Sequence, residues 1–246
     1  MARVIPSNWD GLPQVIVKRF GTTAGRQRSM FHEGHLVLVL HAPPRHDEVD
    51  RRAAIFWRNT TAQWRATGEA KGGLNGLKEL VEAYRQRILP LEQSLESSKR
   101  AADFFRIQQE IAPLLRSIRH FHKTIQEGRE LVKDDADLIS LRDAAGDLER
   151  MAELVQSDAK AGLEFVVARQ SEENAERAAH IERSSHRLNL IAAMFLPISA
   201  LGSVFGVNLA HGLEHTASPY LFWIFVGAAF VLGLIVRSSV NRSAKR

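Results

Sequence analysis

The apolar positions of this chain follow three successive rhythms. Up to about residue 67 they come as short β-forming runs. Residues 35–40 are continuous and stop at Pro43-Pro44; residues 53–57 and 63–67 follow, separated by Asn59-Thr60-Thr61. Three such runs with turn residues between them predict a meander. Residues 1–73 therefore read as a small β-rich unit, which buries little core alone and is expected to lean on the helices after it. Beyond a glycine-bearing junction at residues 68–76 the spacing turns helical and predicts a two-helix hairpin over residues 74–133. Its first helix covers roughly 74–99 with a bend at Pro90, and its second roughly 103–131 with a break or kink at Pro113.

The third rhythm starts at residue 134. Asp134 and Asp135 suit a helix start, where carboxylates cap free N–H groups and face the positive end of the dipole. Leu138, Leu141, Ala145, Leu148, Ala152, Val155, Ala159, Gly162 and Val166 then recur at spacings of three and four, a heptad seam of the coiled-coil kind. The seam continues as Arg169, Glu173 and Glu176, so its apolar character fades. With no turn signal in between, one helix is predicted over about 135–207, roughly 110 Å long. Residues 134–187 are its stalk. One small domain cannot cover such a helix; it needs copies of itself or the two preceding helices beside it.

Two uncharged apolar runs close the pattern. Residues 188–208 and 220–236 have the lengths of membrane spans, the second at the short end of the range. Leu188, Ala192, Leu196, Ser199 and Ser203 share one face of the first span. Pro197, midway along it, frees a backbone carbonyl that a neighbouring helix or water must satisfy. Ser199, Gly202, Ser203 and Gly206 also suit close helix packing, and small size and pore lining do not exclude each other. The second span carries Tyr220, Phe222 and Trp223 at one edge as interface anchors and reads as the lipid-facing partner. Two helices cannot enclose a water path, so a pore requires several subunits, each supplying a first span.

Charge then orients the pattern. A net charge of +5 and a pI of about 9.8 would ordinarily raise nucleic acid as a partner. Here the basic excess flanks the apolar runs instead. Arg183 and Arg187 precede the first, and Arg237, Arg242, Lys245 and Arg246 follow the second in a tail over residues 237–246. The intervening loop, residues 209–219, holds no Lys or Arg, so both termini are expected in the cytoplasm, with the loop outside. The lipid bilayer, not nucleic acid, is the expected partner. The chain has no cysteine, which excludes disulfides and thiolate metal sites. Residues 1–10 lack a basic region followed by an apolar core, so no cleaved signal is expected and the first span serves as its own targeting signal. The expected fold is mainly α with a small N-terminal β-rich unit, its stalk helix continuing into a two-helix transmembrane hairpin.

Other constellations are weaker. His211, Glu214 and His215 match the H-x-x-E-H pattern of some zinc peptidases. That chemistry needs a helix, a third ligand and a cleft, whereas this motif sits in a short external loop. Attraction of cations by Glu214, with the two histidines beside it, fits the place better. Asp134, Asp135 and Asp137 suit a regulatory dication as well as a helix start, and the start is preferred. Asp47, Glu48 and Asp50 read as a solvated turn. His120 and His122 face no carboxylate at ligand spacing. No nucleophile–base pair and no phosphate-binding glycine loop is present, so neither an enzyme nor a bound cofactor is expected.

The run from Arg187 through Pro197 to Gly206-Val207-Asn208 resembles the first transmembrane helix of the CorA-type divalent-cation transporters. That family has two C-terminal spans, a Gly-Met-Asn signature closing the first and a proline midway along it. The resemblance covers both spans and extends back through the long helix from about residue 135. It implies a homopentamer with five first spans around the pore and the second spans outside them. Gly206, Val207 and Asn208 would then form the outer mouth, a selectivity filter, and Leu188, Ala192, Leu196, Ser199 and Ser203 would line the path below. Val207 stands where the pattern has methionine, a position that also varies in the zinc-transporting branch. The N-terminal unit is shorter than the family's α/β domain, which puts its regulatory metal sites in question.

Ion chemistry fits that implication. Mg²⁺ sheds water reluctantly, so a ring of neutral Asn208 carbonyl oxygens would hold the ion through its hydration shell and release it again. An inside-negative potential drives a dication with about 4.6 kcal/mol per 100 mV, twice the single-charge value. The expected function is passive uptake of Mg²⁺, or of Co²⁺, Ni²⁺ or Zn²⁺. The alternative from another class is a membrane-anchored coiled-coil adaptor, and a family member that assembles but conducts poorly also stays open.

Overall fold

The computed structural model describes residues 5–6, 9–44, 52–67, 72–206 and 219–243. Two compact units divide the chain, residues 1–168 and 169–246.

In the first unit a four-stranded antiparallel meander runs in chain order: β1 (Arg28–His32), β2 (His35–His41), β3 (Ala53–Arg58) and β4 (Trp64–Ala66). The central strand explains the whole layer. Its unbroken apolar run puts Leu36, Leu38 and Leu40 on one face and Val37 and Val39 on the other, and all five are fully buried. The leucine face packs with Ala54 and Phe56 against the helices. The valine face joins Met30, Ile55 and Trp57 beneath an N-terminal segment that carries Trp9, Leu12 and Ile16. Ile16 belongs to a single helical turn, α1 (Gln14–Val17). The sequence predicted three strands. β1 escaped because Arg28, Ser29 and His32 break its apolar alternation, and those residues are only half-buried.

The helices then cover the leucine face. α2 (Leu74–Ser97) and α3 (Ala101–Leu131) run unbroken through Pro90 and Pro113. Of the break or kink expected at Pro113 there is no break: Ile111, Leu114, Leu115 and Ile118 around it are buried, and tertiary packing outweighs one lost backbone hydrogen bond. At the start of α3, a hydrogen bond from the Arg100 side chain holds the Asp103 carboxyl below its ordinary range, and Asp103 also accepts the Arg100 backbone N–H. The Tyr84 hydroxyl, buried on α2, donates to the His41 carbonyl at 2.9 Å and lies 2.7 Å from Ser117 Oγ. One phenol thus ties α2 to the sheet and to α3.

α4 (Ala136–Gly206) is the single long helix expected, 71 residues in all. Its heptad residues from Leu138 to Ala159 are buried in the same core. α3 lies antiparallel to this part of α4: Phe104 meets Gly162, while His122 meets Gly146 and Glu149. A Cβ at Gly162 would stand 2.4 Å from the Phe104 ring, so only glycine admits that ring. His122 Nδ1 is 2.7 Å from Glu149 Oε2, although no carboxylate stands at ligand spacing from it in the sequence. The partner lies on another helix, where spacing along the chain does not reveal it. Arg119 adds contacts to Glu149 and Glu153.

α4 begins on one carboxylate with two tasks. Asp135 Oδ1 accepts the Leu138 N–H at 3.0 Å, an N-cap, and its Oδ2 lies 2.6 Å from Arg58 Nε at the end of β3. Both side chains are nearly buried, 13% and 7% exposed. The capping reading of this acidic start therefore holds for Asp135.

In the second unit, α5 (Pro219–Ser243) packs against α4 through small residues. Ala229 is buried, and a Cβ at Gly233 would stand 3.4 Å from the Met194 carbonyl oxygen and 3.6 Å from its Cα. This four-residue spacing of small side chains lets two backbones approach closely.

Two predictions follow from these anchors. Asp135→Ala should destabilise the chain by about 3 kcal/mol, because it strands a buried arginine and removes a cap. Asp134→Ala, at an exposed position, should change thermal unfolding little. Gly233→Val should lower the unfolding midpoint through overpacking of about 1–3 kcal/mol. Gly227→Val, where nothing lies within 4 Å, is the tolerated control. Equal midpoints for the two glycine variants would refute the close approach.

Candidate pore-lining face

Helical geometry decides which side of α4 is free. At 100° per residue, Leu188, Ala192, Leu196, Ser199 and Ser203 span a sector of about 80°. All five are exposed in the chain, Leu188 at 66% and Leu196 at 67%. On the same turns Leu190, Ala193 and Met194 are half-buried, and Met194 is the residue that meets Gly233. The centres of these two sets lie about 150° apart around the helix. α5 therefore covers one side of α4, and the five residues singled out from the sequence together occupy the opposite side.

The stripe alternates two chemistries. Leu188, Ala192 and Leu196 are apolar, whereas Ser199 and Ser203 offer hydroxyls that can donate to or accept from water. Surrounding copies could use this face for close packing or for lining water. Gly202 bears on that choice within the chain, since nothing lies within 4 Å of the Cβ it lacks. The close approach of α5 to Met194 uses Gly233. The Ala229–Gly233 pair is readable in the sequence from its spacing of four in an apolar run.

Gly206 is the last residue of α4. Val207, Asn208, His211, Glu214 and His215 lie outside the described residues, as do Asp47, Glu48 and Asp50. Among the described residues no helix is long and apolar enough to cross a membrane. The two spans expected from sequence are thus not met by those residues alone. Residues 207–218 and several side chains of both runs, among them 197, 198, 221 and 222, lie outside the described residues. Nor does any group of three or more His, Asp or Glu among the described residues suit a metal ion. Asp135, the best placed of the acidic trio, is committed to Arg58 and to the Leu138 N–H.

Known proteins share this architecture. The structure is similar to that of the full-length CmaX protein, with a TM-score of 0.59 and 16% identity, covering 95% of this chain and 83% of that one. It is also similar to the ZntB cytoplasmic domain from Vibrio parahaemolyticus, with a TM-score of 0.52 and 10% identity, covering 66% of this chain and 80% of that one. At such identities the likeness is one of fold. No curated protein matches the sequence. The family model described as CorA-like Mg2+ transporter protein matches residues 74–242, from the first turn of α2 almost to the end of α5. The chain belongs to the CorA-like Mg²⁺ transporter family.

Proposed function

We propose that this protein is a passive, potential-driven importer of divalent cations, Mg²⁺ foremost, with Co²⁺, Ni²⁺ and Zn²⁺ as the competing cargoes. Residues 188–208 and 220–236 cross the inner or plasma membrane, both termini stay in the cytoplasm, and residues 209–219 form the external loop. Five copies surround the path, each presenting the exposed face of α4 inward and α5 toward lipid. One observation supports this arrangement above the others: α5 leaves free the face that carries Ser199 and Ser203. A hairpin that merely anchored an adaptor would have no use for a neutral, partly hydroxylated face turned away from α5.

Gly206, Val207 and Asn208 close the path at its outer end in this proposal. The amide oxygens of Asn208 meet the ion's water shell, so no dehydration is demanded of Mg²⁺. Glu214, with His211 and His215, raises the local cation concentration outside the mouth. Transport needs neither an enzyme activity nor a bound cofactor, since the membrane potential drives it.

Cation influx into vesicles containing the purified chain tests the filter. Asn208→Ala should bring Mg²⁺ entry down to the level of protein-free vesicles, and undiminished entry would remove Asn208 from the filter. The same assay with Mg²⁺, Co²⁺, Ni²⁺ and Zn²⁺ side by side names the cargo. Native mass supplies a separate check: a pentamer is expected, whereas a dimer or trimer would favour the adaptor.

A further inference from the structure

The hairpin of α2 and α3 carries a proline on each helix at one level. Tyr84 contacts both Ser117 and Phe121, so Pro90, six residues on, stands level with residues 111–115, where α3 has Pro113. A proline has no N–H to give the carbonyl four residues before it, which leaves the carbonyls of Gln86 and Gln109 without their helical donors. Beside this level lies a hollow of about 380 Å³, its open mouth included, at the small end of ligand pockets. Leu91 and Leu114, both buried, form its apolar part together with Pro44 and Pro90.

The polar lining carries both signs of charge. Arg87 comes from α2 and Glu110 from α3, with Gln86 beside Arg87. Among the described residues neither charged side chain has an ion-pair or hydrogen-bond partner. The Gln86 side-chain nitrogen donates to Glu82 Oε1 at 2.7 Å; toward the hollow the residue offers the carbonyl that Pro90 leaves open. An arginine and a glutamate that line one hollow without meeting leave room for a molecule that carries both complementary charges.

We propose that this hollow binds a small aliphatic α-amino acid, of the size of alanine, as its zwitterion. The carboxylate takes the Arg87 guanidinium through paired hydrogen bonds. The ammonium donates to the Glu110 carboxylate and to the Gln86 carbonyl, and the short apolar group rests on Leu91 and Leu114. A ligand with only one of the two charges leaves half of this lining unanswered. Bound there, the amino acid joins α2 to α3 where each helix lacks a backbone bond, and it stabilises the folded unit by mass action. The site lies wholly within the first unit and is independent of the transport path proposed above.

Equilibrium binding of radiolabelled L-alanine to the purified full-length chain in lipid nanodiscs tests the site. Saturable binding with a millimolar dissociation constant is expected, as suits so small a ligand. Arg87→Gln and Glu110→Gln should each weaken it by about tenfold or more through loss of a charge-assisted contact. Arg106→Gln, at an exposed position of α3 outside the hollow, should leave it unchanged. Competition separates the two charges: propionate and ethylamine, which carry one each, should displace the label about tenfold less well than unlabelled L-alanine. Absence of saturable binding, or displacement by propionate or ethylamine as effective as by alanine, would overturn the site. So would Arg87→Gln and Glu110→Gln chains that bind like the parent while unfolding at the parent's temperature. Should either variant unfold early, the competition series on the parent chain decides alone.

Discussion

An α-helix turns by about 100° at each residue, and that constraint governs what α4 can do with its 71 residues. A heptad stripe and an eleven-residue stripe drift in opposite directions around the same helix. The chain uses the first where α4 is held in a folded core. Leu138 to Ala159 keep the heptad period and are buried, with Ala145, Ala152 and Ala159 as small steps between larger residues. At Gly162 the ring of Phe104 packs closely, and Phe165, three residues further on, is already 67% exposed. Farther along α4, the partner found among the described residues is α5, where Gly233 approaches Met194.

The elements legible in the sequence were those whose burial is one-sided and periodic. α2, α3 and α4 lie within a few residues of where their spacing places them, and the central strands follow from residues 35–40 and 53–57. What escaped did so for physical reasons. β1 carries Arg28, Ser29 and His32 because it is an edge strand, with only Met30 fully buried. Pro113 looked like a break because the rule for proline concerns the isolated helix, whereas the packed side chains around it hold the turn. His122 and Glu149 stand 2.7 Å apart across two helices, a proximity that no spacing within either helix encodes. Of the candidate site, the face shared by Leu188, Ala192, Leu196, Ser199 and Ser203 was legible because it depends on helical geometry alone. That α5 would take the opposite side required three-dimensional packing at Gly233 and Met194.

The covering of the sheet has a similar logic. A run as apolar as that of β2 must be buried on both sides, and a unit this small has helices for only one. The segment around Trp9, Leu12 and Ile16 supplies the second cover, with the Trp9 and Trp57 rings 5.6 Å apart at its centre. Trp57 Nε1–H in turn donates to His35 Nδ1 at 3.2 Å, so the indole brings no unsatisfied donor into that layer. Trp9, Leu12 and Ile16 are therefore part of the core.

The fastenings of α4 differ in kind along its length. At its start the nearly buried pair of Arg58 and Asp135 is shielded from dissolved salt. Farther along, Arg119 with Glu149 and Glu153, and His122 with Glu149, sit where water and counterions reach them. Such exposed pairs are individually weak and fade as ionic strength rises. The firmest electrostatic fastening of α4 accordingly lies at its start, and concentrated electrolyte weakens only the pairs farther along, leaving the buried seam from Leu138 to Ala159 in place.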